Sequence, residues 1–348
     1  MNDNHPSILM VGNFLSDQAG SRSAGEELNA RLKQMGWVTM TTSSKSSRLL
    51  RMVDMAVHVL FQRKKYQVAY VEVHSGAAFR WAEIVVGLLY FLRKPCVLAL
   101  HGGRLPEFAE KNMKRVRNLL SRAAQVVTPS NFILRAFQGV RSDIQYIPNG
   151  IDIEQYSFRE RGQPAARLIW IRAFHSIYQP QVAISVLARV RKIFPDAHLT
   201  MIGPDKKDGS RQLVLLAARS EQVMDGLSII GVVPKLEIPG WLDKADVFLN
   251  TTAYESFGQA VLEAASSGLL IVSTDVGELS HLWENQSHAM LVSSNDAGAM
   301  ADAVIQVLNQ PSLAAHLSSN ARRRAEQFDW AEVMPQWERL FMELYRPA

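Results

Sequence analysis

Short apolar runs alternate with stretches of helical spacing along the whole chain. In the first half, residues 8–12, 38–42, 68–73, 95–100, 125–128 and 144–147 read as strands. Between them, 25–35, 80–92 and 107–123 repeat apolar residues three and four apart, as amphipathic helices do. Ser23 and Glu26 give the S-x-x-E signature of a capping box just before the first helix. The second half repeats the theme, with strands expected at 168–171, 198–202, 228–230, 247–250, 270–273 and 289–292. Helices fit 179–193, 258–267 and 296–308. Strand–helix alternation with buried strands means a parallel sheet covered on both faces. The expected fold class is therefore α/β, with two Rossmann-like doubly wound domains in tandem facing a deep cleft.

Length agrees, because 348 residues suit two domains. The polar segment 157–166, with Gly162 and Pro164, reads as the linker. We expect a first domain over 1–155, a second over 165–328, and a C-terminal helix over 329–348 returning to the first. A composition 47% hydrophobic and 20% charged excludes disorder and fibrous repeats. The single cysteine, Cys96, excludes a disulfide framework and a cysteine-based zinc finger. The polar start does not resemble a secretory signal. The longest apolar stretch, 82–92, is 11 residues with Glu83 inside, short of the roughly 20 a membrane helix needs. A cytoplasmic protein is expected, peripheral at the inner membrane face if it meets a membrane at all.

Charge is uneven. Residues 1–150 hold 20 Lys and Arg against 10 Asp and Glu, while the remainder holds 18 against 23. A basic first half suits an anionic partner. The stretch from Arg48 through Leu60 to Arg63-Lys64-Lys65 reads as basic and amphipathic, which fits an anionic bilayer surface. Aromatic–basic interleaving of the kind that stacks single-stranded nucleic acid is not evident, so no nucleic-acid partner is expected.

The sharpest chemical feature is Tyr254-Glu255-Ser256-Phe257-Gly258-Gln259-Ala260-Val261-Leu262-Glu263-Ala264, which follows an expected strand and opens a helix. Glu255 and Glu263 are eight apart, about 12 Å along the axis if the helix begins at Glu255. That is too long for a paired-carboxylate hydrolase and suits two contacts along one extended polar ligand. Between them, the N–H groups of Phe257, Gly258 and Gln259 offer a helix N-terminus to a phosphate.

This stretch resembles the retaining, GT-B-type nucleotide-sugar glycosyltransferases of family 4 (glycosyl transferases group 1), bacterial surface-polysaccharide type. Their E-S-F-G-x-x-x-x-E-A signature is unbroken here from Glu255 to Ala264. Gly240-Trp241-Leu242, Ala245-Asp246-Val247-Phe248-Leu249, Gly268 to Thr274 and Ile147-Pro148-Asn149-Gly150-Ile151-Asp152 resemble the flanking family segments. The resemblance implies that Glu255 holds the donor-sugar hydroxyls and Glu263 the ribose. Ser256, Phe257, Gly258 and Gln259 would line the phosphates. His101, in Leu100-His101-Gly102-Gly103 at a strand end, would approach the donor sugar near the reacting carbon. Arg172, in Trp170-Ile171-Arg172, would bind the diphosphate, which its planar guanidinium suits. Catalytic candidates are therefore His101, Arg172 and Glu255.

Other positions are lesser candidates. Gly12 and Asn13, in the loop Val11 to Leu15 that runs on to Gly20 and Gly25, would approach donor phosphate. Gly203, in Gly203-Pro204-Asp205, would lie near the base, and Val276-Gly277-Glu278 near the nucleotide or sugar. One departure stands out. The family carries a lysine a few residues after this arginine, but Ile177-Tyr178-Gln179-Pro180 fills that stretch, with no Lys or Arg between Arg172 and Arg189. Tyr178, Lys206 and Lys207 are candidates to compensate.

The resemblance implies a nucleoside diphosphate sugar as donor substrate, no tightly bound cofactor and no metal requirement. His281 and His288 indeed lack partners at metal-ligand spacing. The expected function is retaining hexosyl transfer to a hydroxyl of a glycan or lipid-linked glycan, in cell-surface polysaccharide synthesis. The alternatives are a degenerate nucleotide-sugar-binding scaffold, favoured by the absent lysine, and a sugar-nucleotide epimerase on the same architecture.

Overall fold

The strands of the computed structural model pair parallel to one another throughout the described residues, which are 5–14, 23–45, 47–102 and 104–345. The chain divides into two compact units, Met1–Asn149 with Ala331–Ala348, and Gly150–Trp330. Leu15, Gly20 and Gly103, named above, lie outside the described residues.

The first unit is a six-stranded sheet of β1 (Ile8–Val11), β2 (Thr39–Thr42), β3 (Val68–Val73), β4 (Cys96–Leu100), β5 (Gln125–Thr128) and β6 (Gln145–Tyr146), in the order β2-β1-β3-β4-β5-β6. The order reverses between β1 and β3, which makes that pair the topological switch point. The helices are α1 (Ala24–Gln34), α2 (Arg48–Phe61), α3 (Ala78–Phe91), α4 (Leu105–Leu120) and α5 (Asn131–Phe137). α1 starts as its sequence dictates. The Ser23 hydroxyl accepts from the Glu26 amide, and the Glu26 carboxylate accepts from the Ser23 amide. α3 buries Phe79, Trp81, Val85, Val86 and Leu89 on one face. A last helix, α13 (Trp330–Leu344), buries Val333, Trp337 and Phe341, with Trp337 edge-on to Tyr70 at 5.7 Å.

The second unit orders its strands β12-β11-β10-β7-β8-β9. They are β7 (Arg167–Ile171), β8 (His198–Ile202), β9 (Leu227–Gly231), β10 (Val247–Asn250), β11 (Leu270–Thr274) and β12 (Met290–Val292). Its helices are α6 (Pro180–Arg191), α7 (Ser210–Ser220), α8 (Ile238–Asp243), α9 (Gln259–Ser266), α10 (Leu279–Leu282), α11 (Ala297–Asn309) and α12 (Pro311–Glu326). This is the Rossmann order, and its switch point lies between β7 and β10. Separate apolar cores fill the two faces of the sheet, one around Trp170, Leu187 and Val304 and the other around Phe248, Val261 and Trp283.

The segment 157–166, expected as a linker, is instead part of this unit. Arg161 is buried and donates to the carbonyls of Arg159, Ser267 and Ala245, with its Nε 3.7 Å from the buried Asp246 carboxylate. Arg159 and Arg167 complete that ion-pair cluster at 3.0 and 2.8 Å. Most of this stretch is exposed, as its polarity suggests, but the buried Arg161 anchors it to the unit.

Candidate active site

In open α/β sheets, ligands settle at the carboxyl ends of the strands where the order reverses. The second unit places its conspicuous charges there. Arg172 follows β7, and its amide donates to the Ile202 carbonyl at 3.0 Å. Its guanidinium donates to the Glu255 carboxylate at 2.5 Å, and Nε and Nη2 both lie 3.4 Å from the side-chain oxygen of Asn250, the last residue of β10. Asn250 is buried and held by its own bond to the Ser273 hydroxyl at 2.9 Å. The Tyr178 ring lies 5.5 Å from the guanidinium. The loop after β10 is tied to the segment lacking the lysine, because Thr251 donates to the Tyr178 carbonyl and Ala253 to that of Ile177.

The helix after the motif begins later than the motif itself suggests. α9 starts at Gln259, with Gly258 as its N-cap in the left-handed region. Glu255 therefore stands outside the helix, and the 12 Å spacing for a continuous helix does not apply. Its Oε1 accepts from the amides of Ser256 and Phe257 at 3.1 and 3.4 Å, so the Phe257 amide is already engaged. Gln259 reaches the Gly150 carbonyl through its side chain at 3.4 Å. Glu263 lies one turn into α9 and is buried, and its carboxylate is paired with Lys235, just after β9.

The site is thus two carboxylates, each matched to one cation: Glu255 with Arg172 and Glu263 with Lys235. Nothing in the local sequence singles out Lys235 or Asn250; each meets its partner only through the fold. Lys206 and Lys207 are exposed on the turn after β8, beside Phe174. Gly203 lies against the Arg172 backbone, so its place is beneath the arginine. Gly277 packs on the Glu255 backbone, and the Glu278 amide donates to the Glu255 carbonyl at 3.1 Å.

His101 belongs to the first unit, directly after β4. Its Nε2 lies 3.3 Å from the Tyr70 hydroxyl, and its ring stacks on His74 at 5.8 Å. Burial holds its pKa down to about 4, against the opposing charge of Glu72. His101 is therefore neutral near pH 7. Burial pushes the Tyr70 hydroxyl well above its ordinary range, so it keeps its proton beside Nε2. Burial raises the Glu72 pKa, but the His74 ring, 3.6 Å away, and the Asn13 amide outweigh it and hold it below the usual value. Glu72 accepts from the amides of Gly25 at 3.0 Å and Asn13 at 3.4 Å. Asn13 also accepts from Arg51 at 2.6 Å. The backbone amide and side-chain oxygen of Asn13 are thus engaged inside the unit. A charged residue within the apolar run 68–73 is the signal that flags Glu72.

Among the described residues no group of three or more His, Cys, Asp or Glu is placed to hold a metal ion. Nor is any described helix long and apolar enough to cross a membrane.

Two doubly wound units in one chain, the second with cation–carboxylate pairs at its switch point, define a GT-B-type glycosyltransferase architecture. The family model described as "Glycosyl transferases group 1" matches residues 165–310, and "Glycosyltransferase Family 4" matches 20–155. The chain belongs to this glycosyltransferase family. It is 30% identical over 197 residues to a glycogen synthase of Mycobacterium tuberculosis (strain ATCC 25618 / H37Rv), covering 55% of this chain and 46% of that one. It is 25% identical over 266 residues to a D-inositol 3-phosphate glycosyltransferase of Arthrobacter sp. (strain FB24), covering 72% of this chain and 62% of that one. The chain thus spans less than two thirds of either relative's length. Among solved structures, Anabaena Alr3699/HepE in complex with UDP and glucose superposes with a TM-score of 0.78 at 18% identity, covering 97% of this chain and all of that one. Sucrose-phosphate synthase from Thermosynechococcus elongatus gives 0.78 at 16% identity, over 97% and 99%.

Proposed function

We propose that this chain is a retaining glycosyltransferase that moves a hexosyl group from a nucleoside diphosphate sugar to a hydroxyl of a glycan or lipid-linked glycan, in cell-surface polysaccharide synthesis. The observation that carries the reading is the placement of Arg172, Glu255 and Glu263 at the β7/β10 switch point of a chain in this family. In this reading Glu263 takes the ribose hydroxyls, Glu255 the sugar hydroxyls and Arg172 the diphosphate. The bond from the anomeric carbon to the phosphate oxygen breaks as that carbon bonds the acceptor oxygen. The acceptor proton passes to the leaving phosphate, whose charge Arg172 and the α9 N-terminus stabilise. No tightly bound cofactor or metal enters the scheme. UDP in a neighbouring fold makes uracil the first base to try. For the first unit we assign the acceptor side, with neutral His101 as a hydrogen-bond donor to a sugar.

A membrane-facing acceptor is supported by α2. Its outward face carries exposed Leu49, Leu50, Val53, Val57 and Phe61, where a helix on a sheet ordinarily shows polar residues. Exposed Arg63, Lys64 and Lys65 follow at its end, and Phe91 is exposed at the end of α3. We propose that this face meets an anionic bilayer.

The test is a thermal-shift panel of UDP, GDP, ADP and their sugar conjugates on the wild type and on Glu263→Ala. A selective stabilisation lost in the variant supports the donor site and names the base. A folded wild type that responds to none of them refutes it.

A further inference from the structure

A diphosphate brings two or more negative charges into a site whose carboxylates already match its cations one to one. Binding therefore requires a cation to change partners. Arg172 has one such exchange open to it, from Glu255 to phosphate, and the stretch from Arg172 to Arg189 supplies no second Lys or Arg.

Lys235 meets this need from another part of the chain. It opens a short 3-10 turn, Lys235–Glu237, after β9, and its ammonium is paired with Glu263. The two partners differ in freedom. The Glu263 side chain is only 5% exposed and fixed one turn into α9, whereas the Lys235 side chain is 43% exposed on a four-carbon stem. A ribose on Glu263 brings hydroxyl donors to that carboxylate, so it no longer depends on the ammonium for hydrogen bonds. The 5′-phosphate is one sugar ring away from those hydroxyls. Lysine has three donors and no acceptor, so a phosphate oxygen is the partner that best replaces the carboxylate it leaves.

We propose that Lys235 is a nucleotide-binding residue that passes from Glu263 to the donor's phosphate when the ribose arrives, supplying the cation missing after Arg172. This inference rests on the donor-site reading above and adds a residue to it.

The experiment is calorimetric titration of wild type, Lys235→Met and Lys235→Arg with UDP, UMP and uridine, or the equivalent series for whichever diphosphate gives the largest shift. Methionine keeps the stem without the charge. Losing one charge-assisted hydrogen bond weakens binding by about tenfold or more. The expected result is that loss for UDP and UMP in Lys235→Met, near-wild-type uridine binding, and recovery in Lys235→Arg. An equal loss for all three ligands would overturn the proposal, since Lys235 would then act only by holding Glu263. Unchanged UDP affinity in Lys235→Met would overturn it too, as would a tenfold loss in Lys206→Met/Lys207→Met instead. A wild type that binds no nucleotide condemns the donor-site reading itself, whereas wild-type binding lost in Glu263→Ala but kept in Lys235→Met condemns this inference alone.

Discussion

Gly203 offers the most direct test of how the second unit positions Arg172. It follows β8 with φ +148°, and its amide donates to the Gly231 carbonyl at 2.7 Å. A Cβ at this position would overlap the carbonyl oxygen of Arg172 and lie 2.6 Å from its carbonyl carbon and 3.2 Å from the Ala173 nitrogen. Ordinary contact of a carbon with a carbonyl group begins above about 3.2 Å, so Gly203→Ala must drive the ends of β7 and β8 apart by roughly 1.5 Å. The atoms in the way are backbone, which no rotamer change can move aside. The bond from the Arg172 amide to Ile202 spans that same gap. A sparsely populated backbone conformation costs about 1–3 kcal/mol and forced overpacking about as much again, so a loss of roughly 3 kcal/mol in stability is expected. A 1 Å misplacement of a charged positioning group reduces function by as much as about 10²-fold. Gly209→Ala is the control. Gly209 has φ +91° and open space where its Cβ would go, with no atom within 4 Å, so it bears only the backbone cost of about 1–2 kcal/mol. The assay pairs thermal melting with calorimetric titration by UDP. Gly209→Ala should melt lower yet bind within twofold of wild type, while Gly203→Ala should bind at least tenfold more weakly. Wild-type affinity in Gly203→Ala would refute the claim that this close approach sets the arginine.

Three further outcomes follow from the same structure. His101 has its pKa depressed to about 4 on folding, from an ordinary value near 6.5, so its contribution is whole above pH 6.5 and is lost as pH falls toward 4. Denaturant titrations between pH 7 and pH 4.5 should therefore show a steeper loss in the wild type than in His101→Asn, by up to about 3 kcal/mol at full protonation. Val53→Glu/Val57→Glu places carboxylates on the outward face of α2; it should abolish sedimentation with phosphatidylglycerol vesicles while leaving the UDP-induced thermal shift intact, and equal wild-type sedimentation with neutral vesicles would count against an anionic surface. Asp246→Asn removes the charge facing buried Arg161 and should cost about 3–5 kcal/mol in chemical denaturation, because an uncompensated buried cation remains.

The strands are legible in the sequence because a doubly wound sheet buries them on both faces. The runs at 68–73, 125–128, 198–202 and 247–250 coincide with β3, β5, β8 and β10. Helices with a distinct apolar stripe are equally plain. α12 is not, because its buried face consists of Ala314, Leu317, Ser318, Ala321 and Ala325, and alanine and serine make no stripe. α7 hides for the opposite reason, since Leu213 and Leu216 are exposed while Val214 and Ala218 are buried. The motif names Glu255 and Glu263, and its flanking pattern leads to Arg172. Their partners come from 28 to 83 residues away, which local spacing does not encode. The apparent linker at 157–166 misleads because one of its residues, Arg161, is buried by pairing and ties an otherwise largely exposed segment to the second unit.

The two units share an architecture but use their switch points differently. In the second, the crevice between β7 and β10 holds side chains whose charges can be exchanged for those of a ligand. In the first, the equivalent crevice between β1 and β3 is filled from within. A Cβ on Gly12 would lie 2.6 Å from the Glu72 carboxylate, and one on Gly25 would overlap it. These glycines make room for a residue of the chain itself. The Gly25 amide at the N-terminus of α1, the natural seat of a phosphate, already donates to Glu72, and the Asn13 amide does likewise. An incoming phosphate would have to displace a buried carboxylate that His74 and the Asn13 amide help keep ionised. The structure therefore gives the first unit no vacant anion seat at its switch point, among the described residues.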